Sequence, residues 1–65
     1  MYAIKSDFGY WNMPAQEWEK EPSEYAYYDT LESVKIIFEI IEYDYEFDNI
    51  RIVEIFKDKE YKVRI

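Results

Sequence analysis

Residues 42 to 48 run Glu-Tyr-Asp-Tyr-Glu-Phe-Asp, a stretch in which carboxylates and aromatic rings alternate without a break. In an extended chain successive side chains point to opposite faces. Tyr43, Tyr45 and Phe47 would then share one face, and Glu42, Asp44, Glu46 and Asp48 the other. Such a strand holds its carboxylates about 6.6 Å apart, twice the rise per residue, close to the spacing of phosphates along a nucleic acid strand. The chemistry on offer is anionic recognition, a rail for the lysines and arginines of a basic partner. The plainer alternative is a half-buried strand whose acidic face is only solvated.

Other chemistries find little support. The chain contains no cysteine and no histidine, so thiolate or imidazole metal sites and disulfides are excluded. A nucleophile would have to be Ser6, Ser23, Ser33 or Thr30, and none lies in a recognisable motif. One glycine cannot build a phosphate-cradling loop. With 15 acids in 65 residues, paired carboxylates arise by chance. Asp44-x-Glu46-x-Asp48 matches the opening acids of a calcium loop, but Asn49 then stands at the glycine position and Ile55 at the bidentate glutamate position. The expectation is a protein that is not an enzyme, with no cofactor and no metal.

The acids outnumber the bases, 15 to 8, for a net charge of −7. Free nucleic acid and anionic membrane surfaces are therefore disfavoured as partners, and a cationic protein surface is favoured. No apolar run reaches the length of a signal peptide or a membrane span, so a cytoplasmic location is expected. Residues 1–65 suffice for a single small domain. Its core must come from aromatic mass: eight Tyr, four Phe and two Trp, each ring burying about 150–250 Å². Seven of these rings fall between Phe8 and Tyr28, more than a small core absorbs. Trp11, Trp18, Tyr25 and Tyr27 therefore join Glu42, Asp44, Glu46 and Asp48 as candidate partner-binding residues, since Tyr and Trp are frequent interface anchors.

The elements that must position these groups follow from the pattern. Tyr2–Lys5 and Tyr10–Asn12 read as a hairpin around the turn Ser6-Asp7-Phe8-Gly9. Gln16–Glu21, with Trp18 among acids, reads as an edge strand, and residues 25–28 as a short extended segment. Asp29-Thr30-Leu31-Glu32 has the form of a capping box, with Asp29 as cap. It opens a helix over about residues 30–41 that buries Leu31, Val34, Ile37, Phe38 and Ile41. The apolar arc of that helix spans about 220°, more than one sheet face covers, which predicts either a curled sheet or a second copy on its flank. Strands are expected at 43–47, 50–56 and 61–65, with turns at Asp48-Asn49 and at 57–60. Between Ile52 and Val53 the alternation slips, implying a bulge or a strand covered on both faces. The fold class expected is α+β: a single helix packed on a twisted antiparallel sheet, in the order β-β-(β)-α-β-β-β.

The opening Met-Tyr-Ala-Ile-Lys, then Gly9-Tyr10-Trp11-Asn12, Glu17-Trp18 and Tyr28-Asp29-Thr30-Leu31-Glu32-Ser33, resembles small proteins encoded by bacteriophages and prophages. In size, acidity and lack of a catalytic set the chain is also similar in character to phage anti-defence proteins: anti-CRISPR, anti-restriction and other DNA-mimicking inhibitors. That resemblance implies a non-enzymatic inhibitor of a host nuclease, helicase or related defence factor, and carries no residue over by position. The alternatives are a small structural or assembly homodimer, and a regulator that binds away from any nucleic-acid site.

Overall fold

The computed structural model describes residues 1–45 and 49–64. Strand β1 (Tyr2–Ser6) turns back into β2 (Gly9–Asn12), and the Ser6 hydroxyl accepts from the Phe8 N–H at 3.0 Å to hold the corner. Gly9 has φ of 119°, a value that side chains rarely tolerate. A Cβ there would also collide with the backbone carbonyl of Glu19. The only glycine thus serves both the hairpin and the approach of the third strand. After Asn12, the Met13–Gln16 turn breaks the ladder, and β3 (Glu17–Glu19) returns along β2 with Trp18 opposite Trp11.

Two expectations for the middle of the chain are corrected. Residues 25–28 are not an extended segment: Glu24–Ala26 form one 3₁₀ turn, and only Tyr28 joins the sheet, through a pair of 2.8 Å bonds with Tyr2. The helix, α1, runs from Leu31 to Asp44 with Thr30 as its cap, one residue later than read from the sequence. The Thr30 hydroxyl accepts from the Ser33 N–H at 3.1 Å and donates to the Ser33 hydroxyl at 2.9 Å. Thr30 therefore plays the part expected of Asp29, while the Ser33 side chain accepts from the Thr30 hydroxyl instead of from the cap N–H that Glu32 was expected to reach.

The far end of α1 changes the functional picture. The helix continues past 41 through Glu42, Tyr43 and Asp44, and ends at Tyr45, whose N–H reaches the Ile41 carbonyl at 3.0 Å. Two periodicities overlap in this stretch. Val34, Phe38, Ile41 and Tyr45 keep a helical repeat that points into the core, while the acid–aromatic alternation keeps a strand repeat. Burial decides between them, because the helical set packs on the sheet. The expected strand at 43–47 is therefore replaced by helix as far as Asp44, and Glu46, Phe47 and Asp48 lie outside the described residues.

After Asn49, whose φ of 58° is left-handed, β4 (Arg51–Phe56) pairs with β1, and β5 (Lys59–Lys62) folds back on β4. Lys57 and Asp58, at φ of 51° and 63°, form the two-residue turn of this hairpin. The sheet is antiparallel throughout, in the order β3-β2-β1-β4-β5. Among the described residues the molecule is thus one α-helix on a five-stranded sheet, β-β-β-α-β-β, an α+β fold as expected. Val34, Phe38 and Ile41 pack on Ile4, Trp11 and Ile52. Ile52 and Val53 are both buried and β4 has unbroken register with β1, so the slip marks a strand covered on both faces rather than a bulge. On the face away from the helix, Lys5, Tyr10 and Glu60 meet. Lys5 Nζ lies 2.6 Å from Glu60 Oε2 and 4.9 Å over the Tyr10 ring, and the Tyr10 hydroxyl donates to Glu60 Oε1.

Candidate functional site: the outer face of the helix

At 3.6 residues per turn, Ile36, Ile40 and Tyr43 fall on one stripe of α1, opposite Val34 and Ile41. None of the three is needed by the core: they are 60%, 38% and 91% exposed. Glu32 and Glu39 border the stripe on one side, Ser33 and Asp44 on the other, and Glu42 stands on the flank above the sheet. All of these are exposed. The result is a short apolar ridge edged with carboxylates, carried on a rigid element.

The acids are placed against local stability. Helix dipoles favour cations near the C-terminus, yet Glu42 and Asp44 occupy the last turn of α1 and no base accompanies them. Lys35 is the one base of the helix, against Glu32, Glu39, Glu42 and Asp44. None of these acids makes a hydrogen bond or ion pair to a described residue. Each retains its full capacity to accept donors from a partner.

The residues singled out from sequence are dispersed. Glu42 and Asp44 are exposed but helical, about 200° apart around the axis, so the even four-carboxylate rail on an extended strand is not formed. Trp11 is 1% exposed and offers no contact area to a partner. It packs edge-on to Trp18 at 5.0 Å and against Tyr45 at 5.5 Å, and its indole N–H faces the Met13 sulfur at 3.2 Å. Trp18 is half-buried on the same cluster. These rings pack in the core under the helix with Ile4, Phe38, Ile41 and Ile52, where a small domain gains most from burying large rings. Tyr25 is exposed within the 3₁₀ turn and Tyr27 half-buried just after it, in the segment that leads into α1. Ile36, Ile40 and Glu39 were missed individually. Their signal was the apolar arc too wide for one sheet.

Two polar groups near the first hairpin have a structural role. Glu19 accepts from Asn12 Nδ2 at 3.0 Å and from the Ser23 N–H and hydroxyl at 3.1 and 2.8 Å. These bonds, that from Asn12 foremost, hold its carboxyl below the ordinary carboxylate value. Burial pushes the Tyr28 phenol up, and its hydroxyl has no hydrogen-bond partner among the described residues.

Fold and site together define a small α+β domain with an acidic, apolar-ridged helix as its outward surface. No described helix is long and apolar enough to cross a membrane. Compared with protein-family models, curated proteins and solved structures, the chain matches none of them.

Proposed function

We propose that the protein is a non-enzymatic binding module of inhibitor type, docking the outer face of α1 on a basic, partly apolar surface of a nucleic-acid-handling host protein. The observation that carries this reading is the placement of Tyr43, Glu42 and Asp44 in the last turn of α1: all exposed and unpaired among the described residues, with the two acids opposed to the helix dipole. Stability alone gives no reason for two acids and no base in that turn, whereas contact with lysines and arginines does. The ridge of Ile36, Ile40 and Tyr43 supplies contact area, and the carboxylates around it supply charge complementarity and steering. A host defence factor with a phosphate-binding groove has the matching chemistry.

The test is a tagged capture from host lysate at low and high salt, comparing wild type with Tyr43→Ala and with Glu42→Gln/Asp44→Asn. Charge-led capture weakens steeply with salt. Both variants should lose the bound protein, while Glu17→Gln/Glu21→Gln, exposed acids elsewhere, should keep it. Equal loss in all three variants would reduce the effect to net charge and end the helix-face reading.

A further inference from the structure

The sheet ends at β5, and the pairing with β4 decides which main-chain groups of that edge are free. The Val63 N–H reaches the Ile52 carbonyl at 2.9 Å, and the register matches Glu54 with Tyr61 and Phe56 with Lys59. Hydrogen-bonded pairs recur at every second residue of an antiparallel ladder, so Lys59, Tyr61 and Val63 turn their N–H and C=O groups toward β4. Glu60 and Lys62 turn theirs outward, where the sheet has no further strand among the described residues. All four residues of β5 are exposed. Such an edge is a template for another strand.

Charged side chains, lysine above all, usually block an edge; on β5 they select a register. Two copies joined about a two-fold axis present the same edge to each other, and outward-facing residues must meet outward-facing residues. The axis can then fall on Lys59, Glu60, Tyr61 or Lys62. A centre at Lys59 brings Glu60 against Asp58, one at Glu60 brings it against its own copy, and one at Lys62 brings lysine against lysine. Like charges directly opposite are destabilising. A centre at Tyr61 instead sets Glu60 of each copy opposite Lys62 of the other, and next beyond them Asp58 falls level with Arg64. Lys59 meets Val63, which its methylene stem can cover. At the axis the two Tyr61 rings form a non-hydrogen-bonded pair, the closer kind. Tyr61 and its diagonal neighbour Phe56 are 51% and 59% exposed, so the core uses neither ring fully. Glu60 keeps its bonds to Lys5 and Tyr10, and each carboxylate oxygen retains a second lone pair for Lys62. We propose that β5 pairs antiparallel with β5 of a second copy about a two-fold axis at Tyr61, continuing the sheet through both molecules. The contact uses neither the Ile36–Ile40–Tyr43 ridge nor the acids of α1.

Sedimentation of the whole chain from micromolar to millimolar concentration should show wild type moving to twice its 8.1 kDa mass. Over the same range the amide hydrogens of Glu60 and Lys62 should exchange more slowly, while that of Tyr61, already bonded to β4, should change least. Lys62→Pro removes an outward N–H and no bond to β4, a place where an edge strand tolerates proline. It should fold, by circular dichroism, and stay monomeric. Lys62→Glu, at an exposed position, puts like charges on both sides of the axis and should weaken dimerisation by about tenfold or more. Ile36→Glu should leave the dimer intact while abolishing the capture proposed above, so the two surfaces fail or stand separately. A wild type that stays at 8.1 kDa throughout overturns the proposal. So does a dimer that both Lys62 variants retain, a dimer lost on Ile36→Glu alone, or slowed exchange that appears on α1 instead of β5.

Discussion

Glutamate plays opposite parts on the two sides of this molecule. On the sheet face turned away from the helix, Glu60 binds Lys5 and Tyr10, and in the β2–β3 hairpin Glu19 binds Asn12 and Ser23. Both carboxylates tie together segments that are distant or turning in the chain. On α1, Glu39, Glu42 and Asp44 tie nothing together among the described residues, and two of them work against the helix dipole. The contrast separates acids that hold the fold from acids that are available to another molecule. Net charge alone cannot make that distinction.

The comparison can be broken from either side. The largest effect should come from Gly9→Ala, which forces a side chain to φ of 119° and into the Glu19 carbonyl. Strain and overpacking together should cost about 3 kcal/mol or more, and urea denaturation should show a variant near or past unfolding. Loss of the helix cap in Thr30→Ala should cost about 1 kcal/mol by the same measurement, because the Ser33 N–H loses its acceptor. Replacing both helix acids, Glu42→Gln with Asp44→Asn, should instead stabilise the fold by about 0.3–1 kcal/mol while weakening capture of the partner. A destabilised double variant would show that these acids serve the fold after all. Glu60→Gln, which keeps shape but removes the charge opposite Lys5, should cost no more than about 1 kcal/mol, since the pair is partly solvated.

The smallest effect, and the sharpest, is in pH. The carboxyl of Glu19 titrates below its ordinary value of about 4.5, so the folded state holds its charged form more firmly than the unfolded chain does. Its contribution is fully present above that ordinary value and is lost as pH falls through the lowered one. Wild type should therefore lose stability more steeply than Glu19→Gln between pH 4.5 and the lowered value. Equal slopes would remove Glu19 from the set of fold-holding acids.

Local chemistry determined much of this protein on its own. The single glycine after Phe8, the cap donor–acceptor set at residues 29–33 and the spacing of Val34, Phe38 and Ile41 each name a turn or a helix without help from distant residues. The α+β class follows from them and from the alternation in the flanking strands. Composition likewise excludes histidine and thiolate chemistry. The region from Glu42 to Asp44 was different, because its residues satisfy strand and helix periods at once. Only the packing of Tyr45 against Trp11, a contact across 34 positions, marks where the helical repeat meets the core. The same tertiary burial removed Trp11 from the surface, since no local signal distinguishes an anchoring ring from a core ring. The pairing of Lys5 with Glu60, 55 positions away, was equally invisible: charge is written in the sequence, but which charges are neutralised depends on the strands that the fold brings side by side.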